Sequence, residues 1–167
     1  MNKMTEANLK DAFAGESQAH MKYLNFAEKA EKEGLHNVAR LFQAASYAEQ
    51  IHASNHLRAL DGLQGTSANL EAALGGETFE IEQMYPAYKD MAEQQGEKKA
   101  LRSMNWAFEA EKVHAKAYAA AKQAVDAGHD VAAQDIWICT FCGFTMEGEP
   151  PERCPLCNTP KDKFNKF

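Results

Sequence analysis

The sequence predicts a mostly α-helical protein: an all-α four-helix bundle followed by a small C-terminal metal domain of short strands and loops. Three observations support this fold class. Apolar residues recur at steps of three and four through residues 1–127, which is the period of an amphipathic helix. The composition changes near residue 135, where prolines and short polar residues become frequent. All four cysteines follow this change, as two Cys-x-x-Cys pairs between Cys139 and Cys157.

Four long helices are expected in the first part of the chain, over residues 5–33, 36–60, 67–95 and 97–127. These segments are rich in good helix formers. A glycine follows each of them, and glycine is the usual residue just beyond a helix C-terminus. Helices of this length joined by short turns favour a four-helix bundle. We therefore assign residues 1–130 to the bundle and residues 131–167 to the second domain.

The helical part contains an internal repeat. The segment AEQIHA at residues 48–53 returns as AEKVHA at residues 110–115. A Gly-Glu pair ending at Glu16 returns as a pair ending at Glu77, with a spacing that is shorter by a single position. The simplest explanation is a duplicated two-helix unit.

The repeat also predicts an irregularity in the third helix. Tyr23 returns as Tyr85 with the longer of the two spacings, so one extra residue lies between Glu77 and Tyr85. Pro86 follows at once and has no N–H to donate to the carbonyl of the preceding turn. We predict a π-bulge or kink here, a feature that is frequent at functional sites.

Glutamate and histidine interrupt the apolar stripe near the middle of each helix. The second and fourth helices carry Glu-x-x-His pairs, whose side chains project from neighbouring turns of one face. The first and third helices add three glutamates. One Glu from each of two helices with Glu-x-x-His from each of the other two is the ligand set of a dinuclear carboxylate site. The predicted ligands are Glu16, Glu49, His52, Glu77, Glu80, Glu111 and His114.

The alternative is that these glutamates simply face solvent. Glutamate is almost never buried without a partner, and the inner stripes contain no lysine or arginine to compensate five carboxylates. Carboxylate and imidazole ligands without thiolate suit iron or manganese. Tyr23 and Tyr85 lie one to two turns from these ligands, where they could donate hydrogen bonds or protons; the alternative is that both are core residues.

The cysteines predict a second metal site. Four thiolates, from Cys139, Cys142, Cys154 and Cys157, suit tetrahedral zinc or a single iron. The spacing alone favours a structural zinc ribbon. A segment of about 33 residues cannot fold on an apolar core alone, so metal binding would contribute to its folding. A free-thiol redox pair is disfavoured because both pairs are present.

Charge and hydropathy exclude other classes of protein. The chain has 18 basic and 24 acidic residues, a net charge of −6, which disfavours nucleic-acid binding. No apolar run reaches about 18 residues, so no membrane partner is expected. The first residues lack the apolar core of a signal peptide. We expect a cytoplasmic protein.

The motifs together resemble the rubrerythrin family. They are GES, AEQIHASNH, GETFE with MYP, AEKVHA, and CTFCGF followed by CPLC, and they cover essentially the whole chain. The resemblance implies a ferritin-like di-iron bundle joined to a rubredoxin-like domain, with a single iron rather than zinc at the four cysteines.

The resemblance also implies roles for the ligands. Glu49 and Glu111 correspond to bridging carboxylates, and Glu80 and His52 to the pair that exchanges on one iron as the redox state changes. Tyr23 corresponds to a catalytic tyrosine beside the ligands. The remaining correspondences are terminal ligands at Glu16, Glu77 and His114 and a second catalytic tyrosine at Tyr85.

The activity implied by the resemblance is reduction of hydrogen peroxide to water, in defence against oxidative stress. Electrons would come from an external donor, a rubredoxin or a reductase, through the tetracysteine iron. A homodimer is implied, with one chain's cysteine iron near the other chain's di-iron site. A ferroxidase or iron-storage protein is the alternative, but storage needs no internal electron carrier. A non-catalytic module with a zinc-ribbon tail is a third.

Overall fold

The computed structural model describes all 167 residues. The chain divides into two compact units, residues 1–64 and residues 65–167. The first unit is a pair of helices. The second unit contains three helices and a small sheet. No helix is both long enough and apolar enough to cross a membrane.

Helices α1 (Lys3–Lys32) and α2 (His36–Ala59) pack against each other in the first unit. Their bounds agree with the predicted helices to within a few residues. Helix α1 begins slightly earlier than predicted because the side chain of Asn2 accepts a hydrogen bond from the Met4 N–H at 2.9 Å. Gly34 has φ +76° between the helices, a conformation that favours glycine.

A buried polar contact joins α1 and α2. Ser46 is 1% exposed, and its hydroxyl donates to the carbonyl oxygen of His20 at 2.9 Å. In return, Nδ1 of His20 lies 2.9 Å from the Ser46 carbonyl oxygen. The other buried residues of this unit are alanines, which allow the helix backbones to approach closely. They are Ala27, Ala30, Ala39 and Ala53.

The second unit begins with a helix that changes its winding partway. Helix α3 (Thr66–Phe79) continues as a π-helical segment (Glu80–Met84) and then as α4 (Tyr85–Gln94). The predicted π-bulge between Glu77 and Tyr85 is therefore confirmed. Because a π turn holds one more residue than an α turn, it absorbs the inserted residue just before Pro86.

Helix α5 (Lys98–Asp126) completes the helices of this unit and packs against α3 and α4. It is the predicted fourth helix. An irregular segment follows it, and then the chain enters the small sheet.

The C-terminal part forms a three-stranded antiparallel sheet in the order β2-β1-β3. The strands are β1 (Ile136–Cys139), β2 (Thr145–Glu147) and β3 (Phe164–Lys166). Its core consists of Cys139, Cys154 and Phe164, with further aromatic and cysteine side chains packed around them. The expected small strand-and-loop domain is confirmed, whereas its boundary at residues 130/131 stays a prediction.

We predict that Ser46→Ala lowers the free energy of unfolding of the metal-free protein by about 1–3 kcal/mol, because His20 loses a buried hydrogen-bond partner. Urea denaturation followed by circular dichroism measures the change. Ser54→Ala is the matched control, since the Ser54 hydroxyl donates only to Gln50 of its own helix. The control should change stability by less than about 0.5 kcal/mol. Equal losses in both variants would contradict a stabilising contact between α1 and α2.

Candidate metal centres

The first unit brings together three of the predicted ligands. Glu16 on α1 and the pair Glu49 and His52 on α2 place one ligand atom each within 4.8 Å of the others. Nδ1 of His52 lies 2.8 Å from Oε2 of Glu49. The His52 side chain is 53% exposed and that of Glu49 20% exposed. Two carboxylates and one imidazole therefore converge on one face of the helix pair.

The second unit repeats this arrangement. Glu77 on α3 and the pair Glu111 and His114 on α5 also place their ligand atoms within 4.8 Å of one another. Nδ1 of His114 lies 2.7 Å from Oε2 of Glu111 and 3.7 Å from Oε1 of Glu77. The sequence repeat is thus a repeat of site geometry, down to the His–Glu distance.

The charges in the second set favour a cation. Burial, followed by the hydrogen bond and negative charge of Glu111 and the charge of Glu80, raises the pKa of Glu77 to about 7. The side chains of Glu77 and Glu111 are each only 16% exposed. Three carboxylates held this close repel one another, and a divalent or trivalent cation would remove that repulsion. The donor set and its charge therefore fit metal binding.

Glu80 joins this second set from the π-helical segment. It lines an open cleft together with Glu77, Glu111 and His114. Burial and the charge of Glu111 raise the pKa of Glu80, while His114 lowers it. The segment that accommodates the inserted residue of the repeat thus also places an additional carboxylate, that of Glu80, at the cleft.

The two predicted tyrosines have different surroundings. Burial, with the charges of Glu80, Glu111 and Glu77, raises the pKa of Tyr85, which places its hydroxyl near these carboxylates. The ring of Tyr23 packs against Phe26 and Phe42 at centroid distances of 6.2 and 6.1 Å. The catalytic roles of Tyr23 and Tyr85 both stay predictions.

Two residues of the second site were not predicted from the sequence. Tyr118 lines the cleft and packs against the His114 ring at 6.5 Å. Its position one turn after His114, along the same face, is a signal that could have identified it. Thr145 lies 2.7 Å from Nε2 of His114 although the two are 31 positions apart in the sequence. No spacing rule indicates that contact.

The four cysteines converge as predicted. The Sγ atoms of Cys139 and Cys157 are 3.7 Å apart, and those of Cys142 and Cys154 are also 3.7 Å apart. All four Sγ atoms lie within 4.8 Å of one another. A disulfide would require about 2.05 Å. Four sulfurs around one metal at about 2.3 Å would be separated by about 3.8 Å in a tetrahedron, so the spacing fits a metal site.

The thiol environments also fit a metal. Burial raises the pKa of Cys142 and that of Cys154. Hydrogen bonds from backbone N–H groups oppose both shifts; at Cys142 the donor is the N–H of Phe144. At Cys157 burial is outweighed by hydrogen bonds to the hydroxyl and backbone of Thr159, which lower its pKa to about 7. Hydrogen bonds directed at sulfur stabilise thiolates, and a bound cation would supply the remaining stabilisation.

We predict that the metal-free protein loses stability between about pH 4.5 and about pH 7 through Glu77. Its folded-state pKa of about 7 lies above the ordinary value of 4.5, so the stability contribution is complete below the lower value and is lost as pH rises through the upper one. Urea denaturation across this range should show a smaller loss for Glu77→Gln than for the native chain. Glu82→Gln, an exposed residue of the same segment, is the control and should retain the native slope. An unchanged slope in Glu77→Gln would contradict the assignment.

Two family models match the chain. The model described as "Rubrerythrin" matches residues 7–122, and the model described as "Rubrerythrin, rubredoxin-like domain" matches residues 137–165. The first match includes both carboxylate and histidine sets. The second includes all four cysteines.

Curated relatives and solved structures agree with these matches. Rubrerythrin-2 of Clostridium acetobutylicum is 42% identical over 99% of this chain and 98% of its own length. Nigerythrin of Nitratidesulfovibrio vulgaris is 36% identical over 98% of this chain and 86% of its own length. The structure of fully reduced, all-ferrous nigerythrin is 36% identical, with a TM-score of 0.55, and covers 98% of this chain and 86% of that one. This chain therefore belongs to the rubrerythrin family, with a ferritin-like di-iron domain followed by a rubredoxin-like four-cysteine iron domain.

Proposed function

We propose that this protein is a peroxidase that reduces hydrogen peroxide to two waters, with electrons relayed through the four-cysteine iron. Membership of the rubrerythrin family agrees with a role in peroxide reduction and oxidative-stress defence. The proposal adds the specific reaction, the relay and the residues that carry them.

The observation that carries the proposal is the position of the cysteine domain. Strand β2 packs against α5, the helix that carries Glu111 and His114. A site that only oxidises and stores ferrous iron has no need of a one-electron centre beside its ligands. A peroxidase does, because its metals must be re-reduced after each turnover.

The reaction consumes two electrons and two protons for each hydrogen peroxide. The di-iron centre supplies the two electrons when it is bound and reduced. Tyr85, like any phenol, keeps its hydroxyl proton at neutral pH and can donate a hydrogen bond toward the carboxylates whose charges raise its pKa. Iron held by the four cysteines would accept electrons one at a time from an external donor, a rubredoxin or a reductase.

We further propose that the two ligand sets serve one dinuclear centre. Each set offers two carboxylates and one imidazole, and a dinuclear carboxylate site uses two such sets. Glu49 and Glu111, the carboxylates of the two Glu-x-x-His pairs, would bridge the metals. Glu80 and His52 would alternate as ligands of one iron. We expect the protein to act as a homodimer in the cytoplasm.

Isolated protein should contain three irons per chain and be red, because thiolate-to-iron charge transfer absorbs visible light. Cys139→Ser should lose the colour and about one iron per chain, since a site that needs four thiolates keeps three. Thr140→Ala, which removes a hydroxyl bound to the Lys163 carbonyl beside the site, is the control and should stay red. Elemental analysis and visible spectroscopy measure both results. Zinc alone at the cysteines of native protein would contradict the electron relay.

Glu111→Ala should lower kcat/KM for hydrogen peroxide by at least about 100-fold, because a bridging ligand is lost. The variant should lose bundle iron but keep the four-cysteine iron and its colour. Glu109→Ala, on the same helix and paired with Lys112, is the control and should stay within about twofold of native activity. Anaerobic peroxide consumption with a chemical reductant measures the rate. Native protein that accumulates ferric iron but does not consume peroxide would support the ferroxidase alternative instead.

A further inference from the structure

His114 is held on both sides, once in the helical part and once in the cysteine domain. Its Nδ1 lies 2.7 Å from Oε2 of Glu111, inside the carboxylate set. Its Nε2 lies 2.7 Å from Oγ1 of Thr145, the first residue of β2. Thr145 is 8% exposed, so water does not compete freely for this contact.

The geometry orders the proton positions. A neutral imidazole that binds a metal through one nitrogen carries its proton on the other. With a metal on Nδ1, Nε2–H would donate to Oγ1 of Thr145. The Thr145 hydroxyl then donates to the carbonyl oxygen of Gly143 at 3.3 Å. Gly143 follows Cys142 directly and donates its own N–H to the Cys139 carbonyl at 2.9 Å.

We propose that Thr145 is a positioning residue that fixes the metal-binding orientation of His114 and couples this ligand to the cysteine domain. This inference rests on the proposed role of His114 as a bundle ligand. One hydrogen-bonded path leads from the imidazole, through the Thr145 hydroxyl, to the Gly143–Phe144 peptide, whose N–H bonds the Cys142 sulfur. With iron held at both sites, an electron lost by ferrous iron at the cysteines would be gained by ferric iron held by His114.

Two further observations support a coupling specific to this half of the repeat. The ring of Phe141, between two of the cysteines, packs edge-on against Trp106 of α5 at 5.3 Å, so the domain is held to the helix at a second point. His52, which corresponds to His114 in the repeat, makes the same contact with its own glutamate. Its side chain is 53% exposed, compared with 30% for His114. The two histidines therefore make the same contact with their glutamates but differ in exposure, and His114 has the added contact with Thr145.

The test compares Thr145→Val, which removes the hydroxyl at nearly constant volume, with Thr145→Ser, which keeps it. Full-length protein loaded with diamagnetic zinc in the bundle gives a nuclear magnetic resonance signal for the proton on Nε2 of His114. We expect this proton to be protected from exchange with water in native protein and in Thr145→Ser. In Thr145→Val the protection should be lost, and competition titration should show bundle zinc bound about tenfold more weakly.

A kinetic measurement tests the coupling itself. Iron-loaded protein, reduced and then mixed with one equivalent of peroxide, reports electron exchange through the returning visible colour of the ferric cysteine site. We expect that rate to fall about tenfold in Thr145→Val and to recover in Thr145→Ser. An unaltered visible spectrum and circular dichroism of each variant show that both domains are folded.

The outcomes separate this inference from the proposed function. Native-like proton protection and zinc affinity in Thr145→Val would overturn the positioning role, whatever the enzyme activity. A slower exchange rate in both variants would overturn the role of the hydroxyl. If Thr145→Val alters proton protection and zinc affinity but the native protein does not reduce peroxide, the positioning role is retained and the peroxidase is rejected.

Discussion

Mutual repulsion among carboxylates is the constraint on which the structure depends. Glu77, Glu80 and Glu111 lie at one cleft, where burial and the charge of Glu111 raise the pKa of both Glu77 and Glu80. Such a cluster opposes folding at neutral pH unless a cation compensates it. Helix α3 and the π-helical segment bury no residue, and α5 buries only Ala110, so the apolar core here has little surplus stability to offset the repulsion. Metal binding would therefore add to the stability of the folded state.

The cysteine domain follows the same principle with different chemistry. Its three strands are short, and two of its three buried core residues are cysteines. Sulfur atoms at 3.7 Å leave space for one ion and are too far apart for a disulfide. Both parts of the chain thus bury few apolar side chains and present metal ligands instead. Short sequence motifs therefore predict much of the fold, because metal ligands constrain the spacing of residues along the chain more tightly than apolar residues do.

Most of the helical architecture could be predicted because its signals are periodic and local. Helix ends lie next to glycines, and the π-helical segment followed from a repeat offset of a single position between Glu77 and Tyr85. The Asn2 cap was missed because Asn2 precedes the periodic pattern. The contacts of His20 with Ser46 and of His114 with Thr145 join residues 26 and 31 positions apart. Neither periodicity nor spacing contains that information. The repeat also treated Tyr23 and Tyr85 as equals, whereas the carboxylate charges act on Tyr85 and the Tyr23 ring packs among phenylalanines.

The π-helical segment has a consequence for how such a site can diversify. In a regular helix each residue turns by about 100°, so one inserted residue would rotate every later side chain away from its face. The wider turn confines that rotation to Glu80–Met84, and Tyr85 keeps its place near the carboxylates. After a gene duplication, a single inserted codon could therefore give one copy a carboxylate that the other lacks. Chemical asymmetry between two inherited halves needs no rearrangement of the scaffold.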